Sequence, residues 1–370
     1  KSSDAYLPYL ANSCNNLATL LRNTGSFKEA EKLYREALKI HRDLAEKSSD
    51  AYLPYLANSC NNLATLLRNT GSFKEAEKLY REALKIHRDL AEKSSDAYLP
   101  YLANSCNNLA DLFCNTGSFK EAEELCREAL KICSDLAEKN SDAYLPYLAR
   151  SCNNLADLLC NTGFFKESEE LYREALKIYR SLAEKNPDAY LPDLALSCSN
   201  LASLLQDVHS FKEAEKLHRE ALKIRRDLAE KNPDVYLPSL AISCNNLAYL
   251  LSDTGSSKEA EELYREALKI CSDLAEKNSD AYLPYLARSC NNLAYLLSDI
   301  DSFKEAEELY REALKIRRNL AEENPKVYLP KLQLVCDNLT ALLEKTGRRE
   351  EADSLRREVA EFYQKQLAQQ

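Results

Sequence analysis

The sequence has little glycine and no methionine. Only 6 of its 370 residues are glycine, and this scarcity excludes a collagen triple helix and argues against a β-propeller. Methionine is missing even at the first position, which predicts that the chain is a processed or excised piece. No apolar run approaches the roughly 18 residues that a membrane span requires. We therefore expect no membrane partner.

An excess of positive charge is also lacking. The chain has 50 Lys and Arg residues against 59 Asp and Glu residues, a formal net charge of -9. Such a chain repels a phosphate backbone unless its basic residues are gathered on one surface, and the sequence does not gather them. We expect no nucleic-acid partner. Recognition of single-stranded RNA with one base per repeat, as in other helical repeats, is the alternative.

What the sequence does contain is a period of 46 residues. Residues 1–46 recur letter for letter as residues 47–92, and the tripeptide Tyr-Leu-Pro returns once in each period. A strict period of roughly 20 to 50 residues indicates a solenoid, propeller or array in place of separate globular domains. We predict one solenoid over residues 1–370, with repeats at 1–46, 47–92, 93–138, 139–184, 185–230, 231–276, 277–322 and 323–368.

The first half of each repeat has the spacing of an amphipathic helix, here called helix A. Pro8 is expected in its first turn, where a missing N–H costs least, and Gly25 is expected to close it in a left-handed conformation. His209 and Asp301 replace that glycine in two repeats, and both residue types adopt positive φ more readily than most. In the first repeat the predicted core stripe comprises Leu7, Leu10, Cys14, Leu17, Ala18 and Leu21.

The second half predicts another amphipathic helix, helix B. Ser26 and Glu29 have the spacing of a capping box, in which the two side chains satisfy free N–H groups of the first turn, and five other repeats keep this pair. A pair of such helices cannot bury its apolar stripes alone, so neighbouring repeats must stack. The charged helix B of the last repeat, from Arg349 to about Gln366, is expected to act as a C-terminal cap. The apolar stripe of the first helix B comprises Ala30, Leu33, Tyr34, Ala37, Leu38, His41, Leu44 and Ala45.

Thirteen cysteines would be compatible with disulfides, yet eight of them occupy one position of the repeat. Equivalent helices stacked roughly 8 to 10 Å apart would hold these residues beyond the ~7 Å Cα separation that a disulfide allows. We expect them to be small buried hydrophobic residues in a reducing, cytoplasmic compartment. The eight are Cys14, Cys60, Cys106, Cys152, Cys198, Cys244, Cys290 and Cys336.

These residues resemble the tetratricopeptide repeat, and the resemblance extends over all eight units. It is greatest to the long-helix variant of kinesin light chain and of bacterial and archaeal signalling proteins. The resemblance implies an all-α, right-handed α-solenoid of helix-turn-helix repeats, whose A helices line a concave groove for an extended peptide or partner segment. Cys14 and its equivalents stand where many such repeats have a large aromatic residue. The matching residues of the first unit are Asn16, Leu17, Ala18, Leu21, Gly25, Phe27, Ala30, Tyr34, Ala37 and Leu38.

One polar position on helix A is asparagine in every repeat. On a helical wheel it faces away from the core stripe, where Glu, Lys or Ala would be better helix formers by roughly half a kcal/mol. An amide offers both a donor and an acceptor to the backbone of an extended peptide. The alternative is that each amide bonds to the next helix and sets the stacking of the repeats. We call these residues the groove asparagines: Asn16, Asn62, Asn108, Asn154, Asn200, Asn246, Asn292 and Asn338.

Neighbouring groove positions differ between repeats, and such variation can encode specificity. The predicted acidic centre is formed by Asp111 and Asp157. A partner segment with basic residues followed by apolar ones would fit, and aromatic anchors carry a disproportionate share of binding energy. Neutral drift of exposed positions is the alternative. The predicted apolar and aromatic stretch comprises Leu196, Ile242, Tyr249 and Tyr295.

No motif for catalysis or metal binding is present. The sequence has no glycine-rich phosphate loop, nucleophile elbow or HExxH, and no close Cys/His pair of the kind that zinc favours. We expect neither enzymatic activity nor a cofactor. The predicted function is a protein-interaction scaffold. The alternative is a structural, designed or amplified array without a specific ligand, which self-associates end to end because its first repeat has no cap.

Overall fold

The computed structural model describes residues 3–368, and this range is helical apart from short turns. The A helices are α1 (Ser3–Asn23), α3 (Ser49–Asn69), α5 (Ser95–Thr116), α7 (Ser141–Asn161), α9 (Pro187–Asp207), α11 (Pro233–Asp253), α13 (Ser279–Asp299) and α15 (Pro325–Lys345). The B helices are α2 (Phe27–Lys47), α4 (Phe73–Lys93), α6 (Phe119–Lys139), α8 (Phe165–Lys185), α10 (Phe211–Lys231), α12 (Ser257–Lys277), α14 (Phe303–Glu323) and α16 (Arg349–Ala368). Each predicted repeat therefore contains one helix pair, which confirms the all-α class and the repeat architecture.

The helices form two compact units, Lys1–Leu204 and Leu205–Gln370, and the division falls inside α9. Within the first unit each helix from α1 to α7 packs against the next one along the chain, and within the second the same holds from α10 to α15. A helices of neighbouring repeats also touch, for example α3 with α5 and α11 with α13. This is the packing of an α-solenoid, in which each repeat contacts only its neighbours. A single solenoid over residues 1–370 stays a prediction.

Helix A begins earlier than we predicted from its proline. Pro8 lies inside α1, which starts at Ser3, so it belongs to the second turn and the predicted first-turn position was wrong. The equivalent prolines of the other A helices also lie inside their helices. Proline has no backbone N–H, so each A helix lacks one hydrogen bond at this position. The first N–H groups of a helix have no partner within the helix in any case, so the turn before the proline contains few hydrogen bonds that it could disrupt. Pro233 and Pro325 occupy the helix start itself.

Residues with positive φ end the A helices as predicted. Gly25 has a φ of 85°, and the Ser26 N–H donates to the Leu21 carbonyl at 2.9 Å, which closes the last turn. His209 and Asp301 adopt the same conformation, each with a φ of 61°. The residue at this turn position is therefore one that can adopt a positive φ.

The predicted capping boxes do not form. Ser72 and its equivalents make no side-chain cap hydrogen bond at the start of the described B helices. The glutamate of the box has another partner, because Arg35 of the preceding repeat donates to the Glu75 carboxylate through two N–H groups at 2.7 and 2.9 Å. Bidentate charged pairs are stronger than neutral hydrogen bonds. The pairing recurs as Arg219 with Glu259 and Arg265 with Glu305.

A second row of ion pairs follows the first along the B helices. Arg42 donates to both carboxylate oxygens of Glu82, at 2.9 and 2.8 Å. Each pair joins the B helix of one repeat to that of the next. The second row continues with Arg88 and Glu128, Arg226 and Glu266, and Arg318 and Glu358.

The core contains the predicted cysteines and most of the predicted apolar stripe. All thirteen cysteines are free thiols, and the eight at the repeated position are buried. Two stripe residues of α1 depart from the prediction, since Leu10 and Leu17 are 45% and 48% exposed. Their equivalents on α3, Leu56 and Leu63, are buried. The cause is packing, because α2 covers α3 and no described helix covers the same face of α1.

Helix α16, the predicted C-terminal cap, has one apolar and one charged face, and its role as a cap stays a prediction. Val359 and Phe362 pack into a cluster with Leu332 and Cys336 of α15. The opposite face carries charged side chains, among them the exposed Arg357. The last repeat therefore presents a polar surface to water.

Candidate functional site

The groove asparagines all lie on A helices, and they are half-buried in every repeat except the first, where Asn16 is exposed. In the unit Lys1–Leu204 their amides are unpaired. Within residues 3–368, the side chains of Asn62, Asn108 and Asn154 have no hydrogen-bond partner. Each of these positions therefore holds a free donor and a free acceptor on the same face of successive A helices.

In the unit Leu205–Gln370 two groove asparagines are occupied. Asn292 donates its Nδ2 to Asn245 Oδ1 at 3.2 Å. Asn338 donates in the same way to Asn291 Oδ1 at 3.0 Å. The acceptor in each case is an asparagine of the preceding repeat, so the alternative role for the groove asparagines, a bond between repeats, is present at these two positions.

A second set of asparagines, one residue earlier on helix A, links most repeats. Asn15 Nδ2 donates to Ser59 Oγ of the next repeat at 2.9 Å. The same bond recurs along the chain at lengths up to 3.4 Å, and it ends on a buried serine each time. We call this set the seam asparagines: Asn15, Asn61, Asn107, Asn153 and Asn245.

The seam asparagines of the first unit each leave one atom unpaired. The Oδ1 atoms of Asn15, Asn61, Asn107 and Asn153 are buried and have no hydrogen-bond partner among residues 3–368. A buried acceptor without a donor costs roughly 1–3 kcal/mol. In the second unit the corresponding oxygen of Asn245 accepts a hydrogen bond from Asn292 Nδ2. The first unit therefore combines free donors on the groove asparagines with free acceptors on the seam asparagines.

An open cavity of about 500 Å³ lies over these residues in the first unit. Its walls include asparagines at three positions of the repeat, and the rings of Tyr55 and Tyr101. Both tyrosines are nearly half exposed, at 45% and 47%, so a ligand would meet aromatic faces beside the amides. The lining is mainly polar and amide-rich, which suits hydrogen bonding to a peptide backbone.

Two buried histidines belong to the same cavity. His41 Nδ1 lies 2.7 Å from Ser59 Oγ, and His87 Nδ1 lies 2.8 Å from Ser105 Oγ. Ser59 Oγ also accepts a hydrogen bond from Asn15 Nδ2. Burial lowers the pKa of His41 and lowers that of His87 to about 4. Neutral histidines do not add charge to the cavity at neutral pH.

The two predicted acidic residues are exposed on their helices. Arg68 pairs with Asp111 at 2.8 Å, which neutralises part of the predicted acidic centre. Asp157 accepts a hydrogen bond from the Tyr172 hydroxyl. Desolvation by the surrounding helices, with a smaller effect of the Asp111 charge, raises the pKa of Asp157 to about 6, although water still reaches its side chain. These two carboxylates are near enough to interact. Asp157 forms no ion pair within residues 3–368.

The predicted apolar and aromatic residues are also placed on accessible faces. In the first unit Leu196 is 47% exposed. In the second, Tyr249 and Tyr295 are 54% and 52% exposed, and Ile242 is half-buried. The charge of Asp253, followed by desolvation and by Tyr295, raises the pKa of Tyr249. Tyr249 and Tyr295 therefore lie close together on neighbouring A helices.

Two negative findings apply to residues 3–368. This range contains no group of three or more His, Cys, Asp or Glu side chains arranged to hold a metal ion. None of its helices has the length and apolar character needed to cross a membrane.

The repeated geometry agrees with a family model. The model described as tetratricopeptide repeat matches residues 9–89, 55–135, 101–180, 147–227, 193–273 and 243–319. The chain belongs to the tetratricopeptide repeat family. No curated protein matches its sequence. As in the family generally, the chain is a repeat scaffold of a kind that mediates protein interactions.

Two solved structures share the fold of this chain at TM-scores above 0.5. BtubC (BKLC) from P. vanneervenii is 24% identical, with a TM-score of 0.54 over 66% of this chain and 90% of its own. The apo form of RapI is 15% identical, with a TM-score of 0.56 over 84% of this chain and 99% of its own. A putative kinesin light chain from Podosopora anserina with nearly identical TPR-like repeats is 23% identical, with a TM-score of 0.47 over 60% and 97%. The first two likenesses concern the fold alone.

Sequence reasoning missed the seam asparagines of the tetratricopeptide array. They are adjacent to the groove asparagines, and the pair Asn15-Asn16 is repeated with few exceptions. Neighbouring residues on a helix point 100° apart, so only one of the two could face the groove squarely. The serine two residues before Asn15, which is Ser13 and then Ser59, is the other signal, because a small hydroxyl repeated inside an apolar stripe requires a partner.

Proposed function

We propose that this tetratricopeptide array binds a peptide segment in extended conformation along the A helices of the unit Lys1–Leu204. The observation that carries the proposal is the unpaired state of Asn62, Asn108 and Asn154, whose half-buried amides have no partner within residues 3–368. An unpaired, half-buried amide gains more from a ligand than a fully hydrated one. A peptide backbone supplies the matching donors and acceptors whatever its side chains are.

The second unit supports a specific arrangement for the bound state. There, Asn292 turns its Nδ2 onto Asn245 Oδ1, so this contact is sterically accessible in the repeat. If Asn62 made the equivalent turn onto the free Asn15 Oδ1, its own oxygen would be held toward the cavity. The bound peptide would then donate an N–H to the Asn62 oxygen, and two unpaired groups would be satisfied together.

The side chains around the amides define the partner segment. Asp157, which is exposed and forms no ion pair within residues 3–368, would receive a basic side chain, while Asp111 already pairs with Arg68. Tyr55 and Tyr101 offer partly exposed rings for apolar or aromatic side chains. In the unit Leu205–Gln370, Ile242, Tyr249 and Tyr295 would anchor apolar residues of a segment bound there. We therefore expect a partner segment that combines basic and apolar residues.

Affinity measurements on matched asparagine variants test the proposal. Peptides selected from a random 12-residue phage-displayed library against the chain would be titrated into Asn62→Ala with Asn108→Ala, and into Asn292→Ala with Asn338→Ala. Loss of two backbone contacts of about 1 kcal/mol each predicts an affinity about 10- to 30-fold weaker for the first pair. The second pair is the control, because those amides are already occupied within the chain. If the two double variants bound the selected peptides with equal affinity, the proposed groove would be overturned.

A further inference from the structure

A buried arginine in the unit Leu205–Gln370 lacks a partner for part of its charge. Arg317 of α14 is only 6% exposed, and its Nη2 donates to the Pro284 carbonyl at 3.0 Å. Its Nη1 is buried and has no hydrogen-bond partner among residues 3–368. Arg317 also forms no ion pair within this range, so no carboxylate there balances its charge. A buried charge without a counter-charge is costly, and in a native protein it requires an explanation.

Another repeat of the same unit shows how such an arginine is satisfied. Arg225 occupies the equivalent position on α10 and donates from Nη1 to the hydroxyl of Ser243. The seven other repeats also have serine at the position of Ser243, but the eighth repeat has Val335 there. Val335 is buried, and its side chain offers no acceptor. The eighth repeat therefore lacks the acceptor that serves Arg225.

Two further cations lie beside Arg317. Lys331 of α15 and Arg288 of α13 are exposed, and neither forms an ion pair within residues 3–368. The Lys331 ammonium lies 5.2 Å from the centre of the Tyr328 ring, and the Arg317 guanidinium lies 5.9 Å from the same centre. Partial burial lowers the pKa of Lys331, and the charges of Arg317 and Arg288 lower it further. Three positive charges on three successive helices therefore act on one another, and no carboxylate of the described chain is paired with any of them.

The same positions of the first unit include a negative group. The equivalents of Arg288, Arg317 and Lys331 there are, in that order, Arg150, Tyr179 and Asp193. Burial raises the pKa of Asp193, and the charge of Arg150 offsets part of this effect, so these two side chains are near each other. A carboxylate can therefore lie beside the arginine at this point of the repeat. In the second unit a lysine takes its place.

The accessibility of these positions is a property of the repeat. Tyr55 and Tyr101 occupy the position of Lys331 between other repeats, and they are 45% and 47% exposed. Arg150, at the position of Arg288, is exposed as well. This face of the A helices is therefore open to solvent between inner repeats too, and a small ligand can reach it.

We propose that Arg288, Arg317 and Lys331 form a binding site for a phosphate monoester. Solvent reaches Arg288 and Lys331, and a phosphate held by these two side chains would lie beside Arg317 and balance its buried charge. At neutral pH a phosphate monoester carries a charge of about −1.5 to −2 and has three acceptor oxygens, so it suits three cations better than a single carboxylate does.

The charge of the whole chain limits the ligand further. Its formal net charge is -9, which disfavours a long polyanion such as a nucleic acid and leaves a local site for one phosphate group. The proposal does not depend on the peptide groove proposed for the unit Lys1–Leu204, because it rests on residues of the second unit only.

Binding of a phosphorylated peptide to the full chain tests the proposal. The peptide Gly-Gly-phosphoserine-Gly-Gly with a fluorescent label would be titrated with the 370-residue chain and followed by anisotropy. At about pH 7.5 the phosphate is mostly a dianion. We expect saturable binding, which is about tenfold weaker when glutamate replaces phosphoserine and is absent when serine replaces it.

Competition with inorganic phosphate identifies the source of the phosphate group. Inorganic phosphate should displace the labelled phosphopeptide. An affinity for inorganic phosphate equal to that for the peptide would assign the site to free phosphate, and a lower affinity would assign it to a phosphorylated segment. In both cases the site binds a phosphate group.

Variants of α15 locate the binding. Lys331→Asp introduces the residue found at Asp193, and it should weaken phosphopeptide binding about tenfold, because an attractive charge becomes a repulsive one. Without phosphate this variant should unfold at a higher urea concentration than the parent, since the new carboxylate balances Arg317. Lys326→Asp is the matched control and introduces the residue found at Asp280. It makes the same change in charge at an exposed position, about 140° around the helix from Lys331, and should leave the affinity unchanged.

A second pair of variants repeats the comparison at another position. Arg288→Asn should weaken phosphopeptide binding, whereas Arg150→Asn, the same change at the same exposed position of the first unit, should not. Absence of saturable binding by the phosphopeptide would overturn the proposal. Equal affinity for the glutamate peptide would assign the site to carboxylates and would overturn it as well. So would equal affinities of the Lys331→Asp and Lys326→Asp variants for the phosphopeptide.

Discussion

Asn292 donates its side-chain amide to the Oδ1 of Asn245 at 3.2 Å, whereas the equivalent oxygen of Asn15 in the first unit is buried without a partner. The same repeat position therefore exists in two hydrogen-bonding states within one chain. In the unit Leu205–Gln370 the amides of Asn292 and Asn338 contribute to the contact between repeats. In the unit Lys1–Leu204 the amides of Asn62 and Asn108 form no such bond within residues 3–368, so they are free for the proposed ligand.

The two states predict opposite effects on stability. Asn62→Ala with Asn108→Ala removes no hydrogen bond within the described chain and replaces two weak helix formers, so we expect a gain of up to about 1 kcal/mol. Asn292→Ala with Asn338→Ala removes two bonds, so we expect a net loss of about 1 kcal/mol after the gain in helix propensity. Urea unfolding followed by circular dichroism measures both. A loss of similar size in the two variants would contradict the distinction.

The Arg–Glu pairs between B helices predict a salt-dependent contribution to stability. Glu259 receives two N–H groups of Arg219, and this holds its pKa below its usual range. Both side chains are exposed, so Glu259→Gln should cost only about 0.2–1 kcal/mol, and the cost should shrink in 1 M NaCl. Glu121→Gln is the control, because Glu121 occupies the same repeat position and forms no ion pair within residues 3–368. If Glu259→Gln and Glu121→Gln lowered the free energy of unfolding equally and independently of salt, the ion pairs would not contribute to stability.

Buried histidines predict a loss of stability in mild acid. Desolvation lowers the pKa of His87 to about 4, and desolvation together with the Arg225 charge does the same for His218. The ordinary value is ~6.5, so between these values the unfolded chain binds more protons than the folded one. This contribution is complete above pH ~6.5 and is lost as the pH falls toward 4, on the order of 3 kcal/mol for each histidine.

Substitutions borrowed from other repeats test this dependence. His87→Cys introduces the residue found at the equivalent Cys133, and His218→Tyr introduces that found at Tyr34. The double variant should lose less stability between pH 7 and pH 4.5 than the parent, measured as the urea midpoint. His209→Asn, at an exposed site with positive φ, is the control and should keep the parent's pH dependence. An unchanged dependence in the double variant would mean that other groups cause the loss.

The sequence period was sufficient to predict the helix pairs, the left-handed turn residues and the buried cysteines, because each depends on residues near one another in the chain. The failures involve partners in another repeat. Glu75 was assigned to a local capping box because Ser72 is three residues away, whereas its partner Arg35 is 40 residues away. Stacking geometry decides such contacts.

Two further features could not be predicted from the sequence, because they also depend on how the helices stack. The adjacent residues Asn15 and Asn16 cannot be assigned to seam and groove from the pattern alone, since the difference is one of rotation about the helix. Leu17 and Leu63 have identical local sequences, yet one is 48% exposed and the other is fully buried. Burial at the end of an array depends on what is packed beside it.

The most direct test of the account observes the groove amides themselves. Side-chain ¹⁵N resonances of Asn62, Asn108, Asn292 and Asn338, assigned by single substitutions, would be followed while a selected peptide is added. We predict that the Asn62 and Asn108 signals shift with a saturable dependence on peptide concentration, and that the Asn292 and Asn338 signals do not move. Peptide binding that leaves Asn62 and Asn108 unchanged would contradict the proposed groove.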